Sequence, residues 1–302
     1  MLSPLLLAAA RSERARGLVT AVPVTRGVVD RFVAGEDLAA AVRAVRELNR
    51  DGLRVTLDHL GEDTLDRAQA EATRDAYLAL FEALGESAPG ADASLKLSAL
   101  GQALDDRLAL DNARTICAAA QRAGMTVTLD MEDHTTVDST LGVLRELRGD
   151  FPWVGVAIQS MLRRTEGDLR DLAGEGSRVR LVKGAYAEPS SVAYQSRHEV
   201  DRAYVRGLKL LMAGDGRPMV GSHDPRMIDI ALALAAENDR KPDSFEFQML
   251  YGIRAGEQRR LAEDHTMRVY VPYGADWYGY FMRRLAERPA NLVFFLRSFV
   301  SR

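Results

Sequence analysis

Eight short runs of apolar, β-branched residues recur along the chain, at positions 54–58, 94–97, 126–131, 154–158, 179–182, 218–222, 244–249 and 268–272. Longer amphipathic stretches separate them. The interval averages about thirty residues, the length of a strand plus its crossover helix. Such alternation predicts βαβ units around a parallel sheet, and eight of them predict closure into a (β/α)8 barrel of the TIM type. The alternative is a doubly wound open sheet. Helix punctuation agrees with the count. Asp224-Pro225 supplies a capping oxygen followed by a proline suited to the first helical position, while Gly85 and Gly124 follow periodic stretches as C-terminal stops. Residues 38–50 predict a helix before the first strand. The pattern therefore divides one domain into an N-terminal helical extension (1–50), the barrel (51–291) and an apolar tail (292–302), with no segment resembling a linker.

A barrel of this kind places its chemistry at the C-terminal ends of its strands. Those positions here are unusually polar: Asp58 with Glu62, Lys96, Asp130, Gln159, Arg180 with Lys183, Ser222 with His223, Gln248 and Tyr270. An ionised group among Val and Leu costs several kcal/mol unless it is paired, roughly, so these charges are expected to neutralise one another or to meet a ligand. The bland alternative is a polar rim where strands leave the core.

The last stretch, Tyr270-Val-Pro-Tyr-Gly-Ala-Asp276-Trp-Tyr-Gly-Tyr280-Phe-Met-Arg-Arg284-Leu-Ala-Glu287-Arg-Pro289, runs from strand to turn to helix. Asp276 is placed to cap that helix and Pro289 to stop it. Tyr278, Phe281, Met282 and Leu285 share one face, which needs an apolar partner. Tyr280, Arg283, Arg284 and Glu287 share the neighbouring face. The arginine forks suit a carboxylate or phosphate, although an Arg pair on an amphipathic helix is also an ordinary solvated face. The expected position of this helix is over the C-terminal face of the strands.

Composition narrows the function classes. A formal charge of −3 gives no reason to expect nucleic acid, so any anion site must be local. The single cysteine, Cys117, lies in the helical pattern of 108–123; it has no partner for an internal disulfide, fits a reducing cytoplasm and reads as core rather than nucleophile. Five histidines show no HExxH or clustered spacing, so no metal site is expected. No Walker loop and no GxGxxG opening a helix is present, since Gly214-Asp-Gly216 precedes a strand. Ser222-His223-Asp224 lacks the glycine-flanked elbow of a hydrolase, leaving His223 as a phosphate or ring contact or a rim histidine. The apolar start, residues 1–10, is too short to span a bilayer and reads as the first turns of a helix. The run 292–302 reads as core packing, or, if exposed, as a membrane-surface or partner contact.

Arg180-Leu-Val-Lys183-Gly-Ala-Tyr186, Phe245-Glu-Phe-Gln-Met-Leu-Tyr251-Gly and Tyr280-Phe-Met-Arg-Arg284-Leu together resemble the flavin-dependent proline dehydrogenases in their short, monofunctional form. The similarity covers residues 51–291. It implies an oxidoreductase that binds FAD at the strand ends without a Rossmann fold and oxidises L-proline to 1-pyrroline-5-carboxylate. It also implies that electrons pass to a quinone, in a cytoplasmic protein that touches the membrane peripherally if at all. By matching position, Asp130, Met131, Gln159, Arg180, Lys183, Gly184, Ala185, Tyr186, Ser222 and His223 resemble the family's flavin-contacting set, with Asp130 and Arg180 at the catalytic centre. Arg283 and Arg284 match its substrate-carboxylate pair, with Lys96 opposite. Tyr270 and Tyr280 match aromatics that pack on the proline ring, and Glu62 resembles the acid that gates the site by pairing with one helix arginine.

The chemistry suits those roles. Two arginines holding the carboxylate would orient the ring, each charge-assisted hydrogen bond contributing roughly 1.5–3 kcal/mol. Lys96 beside Asp130 is expected to form a paired wall. One position departs from the longer relatives, which tend to carry an aromatic residue where this chain has Ala187, followed by Glu188-Pro189, so Tyr186 is expected to carry the packing alone. Two other classes compete. A Schiff-base lyase would use Lys183 or Lys96 at a strand end, and a non-catalytic barrel would keep the anion clamp without turnover.

Overall fold

A computed structural model describes residues 29–287, apart from Asp63 and Pro89, with the side chains of Glu86, Arg283 and residues 285–287 also outside the described set. Eight parallel strands close into a barrel in strict chain order, the first pairing with the last through Arg54↔Arg268 to His59↔Tyr273. They are β1 (Arg54–His59), β2 (Asp92–Leu95), β3 (Thr126–Leu129), β4 (Gly155–Gln159), β5 (Arg178–Val182), β6 (Arg217–Gly221), β7 (Glu246–Leu250) and β8 (Thr266–Tyr273). The open-sheet alternative is excluded by the β1–β8 pairing. Strand edges differ from expectation by one or two residues: Lys96 lies just past β2, and Asp130 and Met131 just past β3, because the ladder stops where the chain turns outward over the rim.

The alternation along each strand sorts the side chains. Val55 and Leu57, Ala93 and Leu95, Val179 and Leu181, and Phe245 and Phe247 are all buried in the apolar shell between sheet and helices. The intervening Thr56, Asp58, Asp92, Ser94, Arg178, Arg180, Glu246, Gln248 and Arg268 are equally buried but polar, because they fill the barrel. The outer ring is α1 (Leu38–Arg50), α2 (Arg67–Leu84), α3 (Asp106–Arg122), α4 (Val137–Asp150), α5 (Thr165–Leu172), α6 (Arg197–Ala213), α7 (Pro225–Glu237) and α8 (Ala255–Ala262), and α9 (Trp277–Glu287) follows β8. Helix α1 packs on β1 and β8, which makes it the expected addition before the first strand. Caps fall where side-chain acceptors precede periodic stretches: Asp224 accepts from the Arg226 N–H with Pro225 in the first turn, and Ser196 and Glu199 form a reciprocal capping box.

A second apolar cluster forms around α9. Phe281 is fully buried there, with Phe32 and Trp277 ring centroids 6.3 and 5.9 Å away, and Leu60, Val29 and Val33 complete it. Backbone bonds hold the strap 29–36 in place: Ala34 N–H donates to Pro272 O at 2.9 Å and Gly274 N–H to Gly35 O at 3.0 Å, while Trp277 Nε1–H donates to Glu36. Tyr280 belongs to both faces: it is buried in this cluster with Tyr278, Phe281 and Met282, and the Arg284 guanidinium stands 5.2 Å from its ring centre. The expectations for residues 1–28, Pro289 and the tail 292–302 fall outside the described residues.

Candidate active site

The strand C-termini open into a cavity of about 500 Å³ beneath α9. Its centre is a three-residue unit. Asp130 accepts from Arg180 Nη1 at 2.6 Å and from the Tyr270 hydroxyl at 2.7 Å, and the Arg180 guanidinium stands 5.3 Å from the Tyr270 ring centre. The end of β3 and strands β5 and β8 each contribute one member, so the unit exists only once the barrel has closed. Burial, with the Asp130 charge next, pushes the Tyr270 phenol far above its ordinary range and keeps it a donor.

Lys96 and Asp58 form a second unit. The Lys96 ammonium donates to both Asp58 carboxylate oxygens at 2.7 and 2.8 Å. The expected direct pair of Lys96 with Asp130 is therefore corrected. Strand β1 presents Asp58 across from the end of β2, whereas Asp130 is already taken up by Arg180 and Tyr270. Burial alone would lower the lysine pKa, but Asp58, followed by Asp130 and Glu62, overrules it and raises the pKa above the usual lysine range.

On the opposite side of the cavity, Lys183 donates to Asp201 at 2.5 Å and to Asp224 at 3.1 Å. Asp224, held mainly by the Arg226 guanidinium with Lys183 adding to it, stays well below the usual carboxylate range despite its partial burial. The adjoining Gly184 has φ +110°, and a Cβ there would collide with the Met161 side chain and approach Gln159 Oε1, so only glycine lets the backbone run this close to the wall. Ala185 and Tyr186 continue the lining, and Met131, just past β3, belongs to it as well. Gln159 Nε2 donates to the Met131 and Glu132 carbonyls at 3.0 and 2.6 Å. Ser222 Oγ accepts from the Asp224 N–H. His223 Nε2 accepts from the Leu250 N–H at 2.9 Å, which assigns the proton of the neutral ring to Nδ1. The bond to β7 orients the ring at the cavity wall.

Tyr280 and Arg284 reach the same cavity from α9, and Glu62 reaches it from the loop after β1. Every residue singled out for this site from the sequence lines the cavity, with the exception of Arg283, whose side chain lies outside the described set. Asp58, Arg197 and Asp224 line it as well and were not assigned there. The signal for Asp58 was present, since it was already one of the polar strand ends. Arg197 and Asp224 sit at helix starts, where nothing local distinguishes a site residue from a cap.

A layer below, the barrel holds a set of charges that strand-end reasoning passed over. Asp92 accepts from Arg178, Thr56, Thr126 and Thr128, and Glu246 is gripped by Arg268 through two bonds at 2.7 and 3.2 Å. Burial works against both carboxylates being charged. For Asp92, Arg178, Arg268 and Arg180 outweigh it; for Glu246, Arg268 does so first; both pKa values end below the ordinary range. Their trace in the sequence is a period-two spacing of polar residues, Asp92-x-Ser94-x-Lys96, Arg178-x-Arg180, Glu246-x-Gln248 and Arg268-x-Tyr270.

The lining suits a planar, heteroatom-rich group. Gln159 Oε1, Gln248 Oε1 and the Nε and Nη2 of Arg180 are buried without a hydrogen-bond partner among the described residues. Gln159, Gln248 and Arg180, from β4, β7 and β5, all line the cavity. Among the described residues no group of three or more His, Cys, Asp and Glu side chains is placed to hold a metal ion. Cys117 is buried in α3, and burial pushes its thiol up to about 12, so it is no nucleophile.

Comparison with known proteins gives a consistent result. The family model described as "Proline dehydrogenase" matches residues 41–297. The chain is 39% identical to Proline dehydrogenase 1 of Bacillus subtilis over 92% of each protein, and 43% identical to Proline dehydrogenase of Deinococcus radiodurans over 88% of each. Among solved structures it superposes on proline utilization A from Bdellovibrio bacteriovorus, inactivated by N-propargylglycine, with a TM-score of 0.81 and 25% identity. That match covers 86% of this chain and 32% of the longer one.

Proposed function

The chain belongs to the proline dehydrogenase family, an oxidoreductase family of proline catabolism, and from that premise we propose that it oxidises L-proline to 1-pyrroline-5-carboxylate with FAD as cofactor. The observation that carries the reading is the convergence of Asp130, Arg180 and Tyr270 with Lys96 and Arg284 on one cavity at the strand ends. When bound, the isoalloxazine supplies the hydride-accepting chemistry. The residues fit it: Gly184 allows close approach, Gln159 and Gln248 offer buried acceptors, and Arg180 offers donors. Arg180, Gln159, Met131, Lys183, Gly184, Ala185, Tyr186, Ser222 and His223 would hold the cofactor, Arg180 stabilising negative charge as the ring is reduced.

Arg284, with Arg283, would hold the substrate carboxylate, Lys96 would flank it, and Tyr270 and Tyr280 would pack on the pyrrolidine ring. Glu62 would close the site. A protonated substrate amine has no lone pair to form the C=N bond as hydride leaves the ring carbon, so the amine must arrive neutral. The Schiff-base reading is disfavoured by the same geometry: a lysine bound to two carboxylate oxygens, with its pKa raised, stays an ammonium and cannot attack a carbonyl. Lys183 is likewise held by two acids.

The test is the absorbance spectrum of the purified protein, followed anaerobically on addition of L-proline. A flavin band that bleaches is the expected outcome. A flavin that stays oxidised rejects the substrate, and a colourless protein that takes up no added FAD rejects the cofactor. We further propose a membrane quinone as acceptor, with the apolar run 292–302 as the contact. No helix among the described residues is long and apolar enough to cross a membrane. Deleting residues 294–302 should abolish co-sedimentation with liposomes while leaving bleaching by proline intact; retained co-sedimentation would reject that contact.

A further inference from the structure

Arg180 is gripped from two levels. From the cavity side it donates to Asp130, and beside that contact Nη1 also donates to Ser94 Oγ at 2.9 Å. From beneath, its Nη2 stands 3.6 Å from Asp92 Oδ2. Asp92 is 1% exposed and is absent from the cavity wall. Three threonine hydroxyls, from β1 and β3, and the Arg178 guanidinium aim at its carboxylate, an arrangement that fixes both oxygens and holds the group ionised. A buried carboxylate serving packing alone would need one counter-cation; this one contacts Arg178 directly, with Arg268 and then Arg180 also acting on it.

We propose that Asp92 is a positioning residue for Arg180: it draws the guanidinium from below as an ion-pair partner and offsets part of its positive charge toward the cofactor. The inference rests on the FAD reading and adds a sign to it. A cation beside a ring that gains negative charge on reduction favours the reduced form. An anion 3.6 Å behind that cation opposes it, so Asp92 holds the reduction potential of the bound flavin lower than Arg180 by itself would set.

The experiment is spectroelectrochemical titration of FAD-containing wild type and Asp92→Asn. Asparagine keeps an oxygen for the threonines and removes the charge. The expected result is a reduction equilibrium displaced at least tenfold toward the reduced form, about 30 mV more positive for a two-electron couple. The KM for proline should change little, because Arg284 and Lys96 are untouched. Thr128→Val, which removes one hydroxyl and keeps the carboxylate, should leave the potential near wild type.

Asp92→Asn strands Arg178 as an unpaired buried cation. Where the single variant does not fold, Asp92→Asn with Arg178→Met keeps the interior neutral, and the same positive displacement, smaller in size, is expected. An unchanged or more negative potential in a folded, FAD-containing variant overturns the inference while leaving the flavin reading standing. A wild-type protein that takes up no FAD overturns the flavin reading itself, and with it this one, before any variant is measured.

Discussion

Lys96 shows what a single side chain owes to its neighbours. Its position at a strand end was legible from the residue order, yet the partner was not, because Asp58 lies 38 residues away and is brought within 2.7 Å only by the β1–β2 pairing. Removing one member of a buried pair costs more than the pair itself contributes, since the other charge stays behind. Asp58→Ala should therefore lower stability by about 3 kcal/mol, near the bottom of the usual range because Asp130 and Glu62 still face the ammonium. Urea unfolding measures this directly. A midpoint unchanged from wild type would mean that Lys96 relaxes into the cavity and finds water. Arg178, Asp92 and Glu246 were not singled out at all, although each stands at a period-two position; strand-end reasoning looks at the rim and these lie below it.

The best-read elements were those with two independent signals. Helix α7 has its cap and its proline, and α1 runs over the same residues, 38–50, that its apolar spacing indicates. The final helix was located by its apolar face, but its neighbour was not, because the strap 29–36 that covers it precedes it by some 240 positions in the chain. That contact gives α9 its functional character. Phe281 is the fully buried centre of the cluster, while Tyr280 and Arg284 on the same helix line the cavity. Truncating a buried Phe costs about 3–5 kcal/mol where the site cannot collapse. Because α9 and the strap form a cluster separate from the main core, Phe281→Ala should loosen this helix first. The expected result is a KM for proline raised tenfold or more, with a much smaller loss of FAD binding. Steady-state kinetics and a flavin-to-protein ratio separate the two, and equal losses of both would show that α9 is not an independent lid.

Around the barrel axis four acids meet four cations: Asp58, Asp92, Asp130 and Glu246 face Lys96, Arg178, Arg180 and Arg268. This balance has a pH signature. Asp92 and Glu246 have pKa values lowered by folding, so their contribution is fully present above the unfolded carboxylate range, about pH 4–4.5. It is lost as the pH falls through that range toward the folded values, because the unfolded chain then takes up protons that the folded chain refuses. The thermal midpoint should fall steeply below about pH 4.5, and Glu246→Gln should flatten the slope while starting from a lower plateau at neutral pH. A parallel displacement of the whole curve, with no change in slope, would assign the acid sensitivity to other carboxylates.

What the order of residues determined by itself is the local grammar: apolar runs about thirty residues apart, caps and stops between them, and polar residues where the runs end. Local signals act over a few residues, so they survive without the fold. What only the tertiary structure decided is partnership. Closure of β1 onto β8 brings Tyr270 to Asp130 across 140 positions, Arg268 to the barrel floor and α9 under its strap. No local propensity encodes such pairs. They are set by strand register around a closed ring, where each inward side chain meets whichever neighbours the shear of the barrel delivers.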